Sequence, residues 1–351
     1  TKKPTAEANM KNDTRRAFDL YCATLANLNQ VSLSALASKF AVSPTVQQTL
    51  ENRIQESSQF LKSINNIAVS EQMGNKIGLG IGSTVASTVD TTQHDRTPFD
   101  PTEMDEQGYV CTQTNFDTAI RYAKLDAWAK FPDFQARVRS MILQRQALDI
   151  ITIGFNGTSR AANSDRTANP LLQDVNIGWL EKIRRFAPQR HLAEVEAGSE
   201  KILVGGSATH ANGYKNLDAL VVDAVNNLID PWHREDTALV TVVGRQLMHD
   251  KYFPLINSDQ APTERIAVNM LVSQNRVGNL QAVRVAGFPP NAVMVTRLDN
   301  LSRYYQEGGR RRSIIDNPKR DQIENYESSN DAYVVEDYGM AALVENIEMV
   351  D

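Results

Sequence analysis

The sequence predicts an α+β fold built on one long helix, with an extended β excursion before it and an α/β unit after it. Three observations carry that prediction. Residues 131–155, FPDFQARVRSMILQRQALDIITIGF, are the longest stretch that reads as one uninterrupted amphipathic helix. Residues 66–125 show strand-like alternation and several glycines, an extended excursion with little core of its own. Residues 200–308 alternate short β-rich runs with helical ones.

The helix has legible ends. Pro132 suits a first turn, where a missing N–H is no loss, and Asp133 favours the positive end of the helix dipole. Apolar residues recur at Phe134, Val138, Met141, Ile142, Leu148, Ile151, Ile153 and Phe155, while Arg137, Arg139, Gln144, Arg145 and Gln146 take much of the other face. Asn156-Gly157 supplies the stop. At 1.5 Å per residue the stretch spans roughly 37 Å, a strut that something must lie across. Its basic face is either solvated or turned toward nucleic acid, and contact of the second kind would be sequence-blind.

Before the helix, residues 1–9 are a polar lead, and Met10 is a candidate natural initiator. Phe18, Leu20, Tyr21, Leu25 and Leu28 make a helical stripe over 11–29, and Ser32 is placed to cap a second helix over 32–39. The step from Phe40 to Pro44 breaks it. Residues 44–64 are helical again, burying Val46, Leu50, Ile54, Phe60 and Leu61, so the first 40 residues read as a separable helical hairpin. Residues 66–90 then read as a two-stranded ribbon turning near Met73-Gly74-Asn75, 91–108 as an exposed loop, and 109–125 as strand. A monomer has little use for such an arm, because unpaired strand edges invite association.

After the helix come a polar loop over 158–174 and a short helix over 177–185. Strands are expected at 202–204, 238–243, 282–285 and 292–296, with helices at 217–228 and 245–252 between them. Two late strands follow residue 320.

The chain of 351 residues has ample core, and its 37 basic and 42 acidic residues leave a net charge of -5. That balance carries no global signal for nucleic acid or anionic membrane. No apolar run reaches membrane-spanning length and no signal-peptide core opens the chain, so a soluble intracellular protein is expected, with the sequons at Asn12 and Asn156 idle. Cys22 and Cys111 read as reduced thiols. Gly78-x-Gly80-x-Gly82-Ser83 lacks the lysine of a phosphate loop and reads as ribbon glycines. His94, His191, His210, His233 and His249 show no metal-ligand spacing, and no nucleophile motif occurs. No catalytic, cofactor or metal site is therefore expected, and the chain is not read as an enzyme. Gly308-Gly309-Arg310-Arg311-Arg312 is a basic turn suited to the carboxylates of a neighbour or to phosphate.

Five runs carry a resemblance: VQQTLENRIQESSQFLKSIN (46–65), DRTANPLLQDVNIGWL (165–180), VVGRQLMHDKYFP (242–254), SQNRVGNLQAVRVAGFPPNA (273–292) and NYESSNDAYVVEDY (325–338). They resemble the major capsid proteins of peduoviruses, the P-two type of tailed phage, and the resemblance runs from about Met10 to the end. It implies the Hong Kong 97-type capsid fold. An N-terminal segment (1–40) would be removed on maturation, followed by an N-arm (41–68) and an extended β loop (69–125). A discontinuous peripheral domain (126–200 and 313–351) would carry the long spine helix, with an axial domain (201–312) inserted in it.

The resemblance further implies a shell subunit, without cofactor, forming hexamers and pentamers of an icosahedral head in the virion, assembled in the host cytoplasm. Its partners would be copies of itself, an internal scaffolding protein with protease activity, the portal and packaged double-stranded DNA, with no membrane. The processing junction would fall at Phe40-Ala41. Arg310, Arg311 and Arg312, with Arg137, Arg139 and Arg145, would make inter-subunit or interior basic contacts. A cellular nanocompartment shell and a stand-alone α/β enzyme are the alternatives; closed particles carrying cargo would mark the first, and a monomer with a defined pocket the second.

Overall fold

The long helix runs from Phe134 to Asn156. The structure, a computed structural model, describes residues 10–76, 80–81, 86–97, 102–103, 108–128, 134–206, 208–209, 211–257 and 275–350. The helix start proposed at 131–133, the Gly78, Gly82 and Ser83 positions, and His210 lie outside them. The chain divides into two compact units, one of Thr1–Gln72, Val110–Ile151 and Arg303–Ala332, the other of Met73–Tyr109, Thr152–Ser302 and Tyr333–Asp351.

In the first unit the helix Asn12–Asn29 is followed by a 3-10 turn, Leu33–Ala37, whose start is capped by the Ser32 hydroxyl accepting from Ala35 N–H at 3.3 Å. The expected single helix over 44–64 is two, Pro44–Glu56 and Gln59–Ser63. Ser57 marks the break, its hydroxyl donating to the Ile54 carbonyl at 2.7 Å. Among the described residues these helices accompany a seven-stranded sheet, ordered Phe40–Ala41, Arg311–Asn317, Gln322–Val335, Leu301–Gln306, Asn65–Val69. Thr112–Asn115 and Thr118–Arg121 pair antiparallel along the Gln322–Val335 strand. The expected strand over 109–125 ends early, since Tyr122–Trp128 is helical. Leu301–Gln306 and Arg311–Asn317 have no counterpart in the sequence reading.

The second unit holds a six-stranded sheet among the described residues: Arg276–Val277, Leu280–Val283, Val240–Val243, Val293–Thr296, Ala342–Val344, His191–Leu192. A smaller one orders Gly213–Tyr214, Ile202–Gly205 and Ile347–Val350. The helix Leu217–Leu228 begins where Asn216 accepts from Ala219 N–H at 2.8 Å, and it buries Leu217, Leu220, Val221 and Ala224 against Val204, Val243, Val293 and Val344. The last two strands therefore join the sheets of the 202–296 region.

Two expectations are corrected here. The ribbon does not turn at Met73-Gly74-Asn75: Met73–Gly74 pairs with Tyr109–Val110, and Gly80–Ile81 pairs with Thr102–Glu103. The two arms of the hairpin are far apart in sequence, and glycines let them meet closely. A Cβ on Gly108 would stand 2.3 Å from the Gly74 carbonyl oxygen. The stripe expected on the helix Phe134–Asn156 is met at Ile151, Ile153 and Phe155 but not at Met141 and Leu148. Leu143, Gln146, Ala147 and Ile150 are buried, with Ile151, Ile153 and Phe155 beyond them, whereas Met141 and Leu148 are exposed. Hydrophobicity alone selects large side chains; burial also admits a small alanine and a hydrogen-bonded glutamine.

Candidate functional site

The first unit is organised around a buried ion-pair network that fastens the helix Pro44–Glu56 to the sheet. Glu51 points inward from that helix among Leu50 and Ile54. One of its oxygens accepts from Arg303 Nη1 at 2.6 Å and the other from Arg310 Nη1 at 2.5 Å. Arg303 reaches on to Asp331 at 2.6 Å, and Asp331 also accepts from the Ser329 hydroxyl at 2.6 Å. Arg310 donates from Nε to Glu327 at 2.7 Å and from Nη2 to Gln146 at 3.1 Å, while the Gln146 amide donates to the second Glu327 oxygen at 3.0 Å. The five charged side chains are all 5% exposed or less. Three carboxylates face two guanidiniums, and the charge of Arg312 also acts on Glu327.

Burial by itself would raise the Glu327 carboxyl, but the Arg310 and Arg312 charges and the hydrogen bonds from Arg310 and Gln146 outweigh it and hold the group at about 2. Glu51 is likewise lowered: burial opposes its charge, and Arg303 and Arg310 overcome that. A second tie lies one turn away, where the Gln47 amide donates to the Gln306 carbonyl and its oxygen accepts from Gly308 N–H, both at 2.9 Å.

Arg310 is thus a correction. Its guanidinium is committed inside the subunit, and it has no exposed donor to offer a neighbour or DNA. Arg311 donates to the carbonyls of Gly308 and Arg310, and Arg312 donates to Asn325 Oδ1 at 2.7 Å and to the Tyr21 hydroxyl at 3.0 Å. Arg137 is exposed, Arg139 lines a cavity beneath the helix Asn12–Asn29, and Arg145 pairs with Asp149 on the solvent side of the long helix. Phe40 and Ala41 form an edge strand, pairing with Arg312 and Arg311, with Val42 N–H donating to the Arg310 carbonyl at 3.1 Å. The backbone at this junction is extended; Phe40 is buried and Ala41 exposed.

The network residues Glu51, Arg303, Asp331 and Glu327 were absent from the sequence reading. The one available signal was Glu51 itself, a charge set between Leu50 and Ile54 on the apolar face of its helix. Among the described residues no group of His, Cys, Asp and Glu is assembled to hold a metal, and no helix is long and apolar enough to cross a membrane.

Known proteins match nearly the whole chain. A family model described as phage major capsid protein, P2 family, matches residues 17–347. The chain is 49% identical to the capsid protein of Escherichia phage P2 over 97% of its length and 96% of that protein's. It is 43% identical to the major capsid protein of Serratia phage KSP20, covering 96% of this chain and 97% of that one. Among solved structures, a chain of the satellite phage P4 procapsid, which includes the size determination protein Sid, superposes with a TM-score of 0.81 at 48% identity, covering 97% of this chain and 99% of that one.

Proposed function

The chain belongs to the P2 family of phage major capsid proteins, and on that premise we propose how its parts serve a shell. It is a structural virion protein with a phage capsid fold, not an enzyme. The nanocompartment and enzyme alternatives give way to this assignment.

Copies of the chain assemble into the hexamers and pentamers of an icosahedral head, in the host cytoplasm, around an internal scaffolding protein that carries protease activity. The portal and packaged double-stranded DNA are the further partners. Residues 41–68 act as the N-arm and 69–125 as the extended loop. Residues 126–200 and 313–351 form the peripheral domain and 201–312 the axial domain, with the strands Ala342–Val344 and Ile347–Val350 reaching into the sheets of the latter. The observation that carries this reading is the match over residues 17–347 together with the similarity to a procapsid chain. What the subunit's own residues contribute is anchorage. Glu51 and Gln47 bind the arm helix to its own sheet, so the arm leaves the body at a defined place. The loop hairpin presents strand edges that can gain partners on an adjacent copy. Arg137 and Arg145 are the exposed members of the basic set and are the candidates for inter-subunit or interior contact.

Deleting residues 74–106 should leave subunits or capsomers but no closed shells when the chain is co-expressed with its scaffolding protein. Negative-stain microscopy reads the outcome, and normal shells from the deletion would refute the role of the loop.

A further inference from the structure

We infer that residues 10–40 form a docked cap on the first unit, so that a cut at the Phe40-Ala41 strand leaves the peptide seated rather than freed. The occasion for the cut rests on the processing reading above; the docking is a property of the intact chain. The cap buries Leu25, Ala26, Leu36 and Phe40. Its polar ties are spread along its length. Lys11 N–H donates to Asp126 at 3.1 Å, Arg15 pairs with Asp316, and the Tyr21 hydroxyl accepts from Arg312. Phe40 pairs with Arg312 in the sheet, and Asn29 Oδ1 accepts from Ser43 N–H at 3.4 Å, a tie that spans the junction itself. None of these contacts depends on the peptide bond between Phe40 and Ala41.

The cap is also built to leave. Beneath it Phe18 and Tyr21 roof an apolar cavity of about 70 Å³, floored by Ile120, Ile142, Ile314 and Ile323. Around that space the inner face of the helix lacks close packing, so the polar ties carry part of its hold beside the buried Leu25 and Ala26. Cutting and unmasking are therefore separate events. Proteolysis turns a tethered contact into a bimolecular one, and the Ile120, Ile314 and Ile323 strip is uncovered only when the peptide departs.

The test uses the full chain with a site-specific protease sequence inserted between the exposed Ser38 and Lys39 and a fluorophore at the N-terminus. After cutting, the labelled peptide should co-elute with the subunit on gel filtration. In an Arg15→Gln, Tyr21→Phe background its release should be faster by on the order of tenfold or more, since hydrogen bonds to charged groups are lost. Immediate elution of the peptide at its own volume in the otherwise unaltered chain overturns the inference, as does an equal release rate in both backgrounds. Mass mapping of the native cut in scaffold-assembled shells decides the junction separately: a cut elsewhere refutes the processing reading and leaves the docking result standing.

Discussion

Replacing Arg310 with leucine should lower the unfolding free energy of the subunit by about 3–5 kcal/mol, the usual cost of removing one partner from a buried ion pair. The loss is large because Arg310 is 1% exposed and sits between two carboxylates. Without it Glu51 loses one of its two arginines, and Glu327 keeps only the Gln146 amide and the more distant Arg312 charge. Equilibrium urea unfolding measures the effect as a shift in midpoint at unchanged slope. A cost below about 1 kcal/mol, the range of an exposed pair, would mean that water reaches the network and would sink this account of it.

Two buried carboxylates, one in this network and one outside it, predict an acid limit. Glu327 and Glu345 both lie at about 2 against an ordinary 4.5. For Glu345 burial is again the largest influence and is outweighed by Arg184 and His191. Folded-state values below unfolded ones mean stability that is fully present above about 4.5 and drains away as pH falls toward 2. The melting temperature of the subunit should thus decline steeply across that window, and less steeply once Glu327 is replaced by glutamine. An equal decline in both would show that Glu327 does not titrate there.

The second large effect is expected at Gly154, in the second unit. A Cβ there would stand 2.2 Å from Trp179 Cζ3 and 2.7 Å from two further ring atoms. The indole has nowhere to go. Its Nε1 donates to the Ser302 carbonyl at 2.9 Å, and the rings of Phe155 and Tyr333 close on it with centroids 5.2 Å away. The preceding backbone is equally close, since a Cβ on Gly178 would lie 2.3 Å from the Gly154 carbonyl oxygen. Alanine gains about 1 kcal/mol of helix propensity over glycine, yet overpacking of this kind costs about 1–3 kcal/mol and occasionally more. With both neighbours immovable, Gly154→Ala should be net destabilising by about 2 kcal/mol, with an altered near-UV signal from Trp179. Unchanged or raised stability would show that the indole yields.

Local pattern served well where local physics decides. The helix Leu217–Leu228 lies where its apolar spacing places it, and Ser32 is a cap as expected, though of the 3-10 turn Leu33–Ala37 rather than of a helix over 32–39. The body of the long helix, Phe134–Asn156, was legible for the same reason, and its Asn-Gly stop held. Failures cluster where partners are remote. A ribbon turn is expected at Met73-Gly74-Asn75, yet Gly74 serves close pairing with a strand some thirty residues on. Arg310 read as a surface cation because charge in sequence is charge on average outside.

By itself the sequence determined the α+β class, the long helix, the family resemblance and the break at Phe40 to Pro44, since each is written in contiguous residues. Only the tertiary structure decided which face of the helix Phe134–Asn156 is buried and which loop arms pair. It also decided that Arg310 belongs to Glu51 and Glu327 rather than to a neighbour. The physical reason is common to all three. Burial and charge pairing are set by residues distant in sequence, and desolvation makes a guanidinium choose the carboxylates enclosed with it over any it would meet in water.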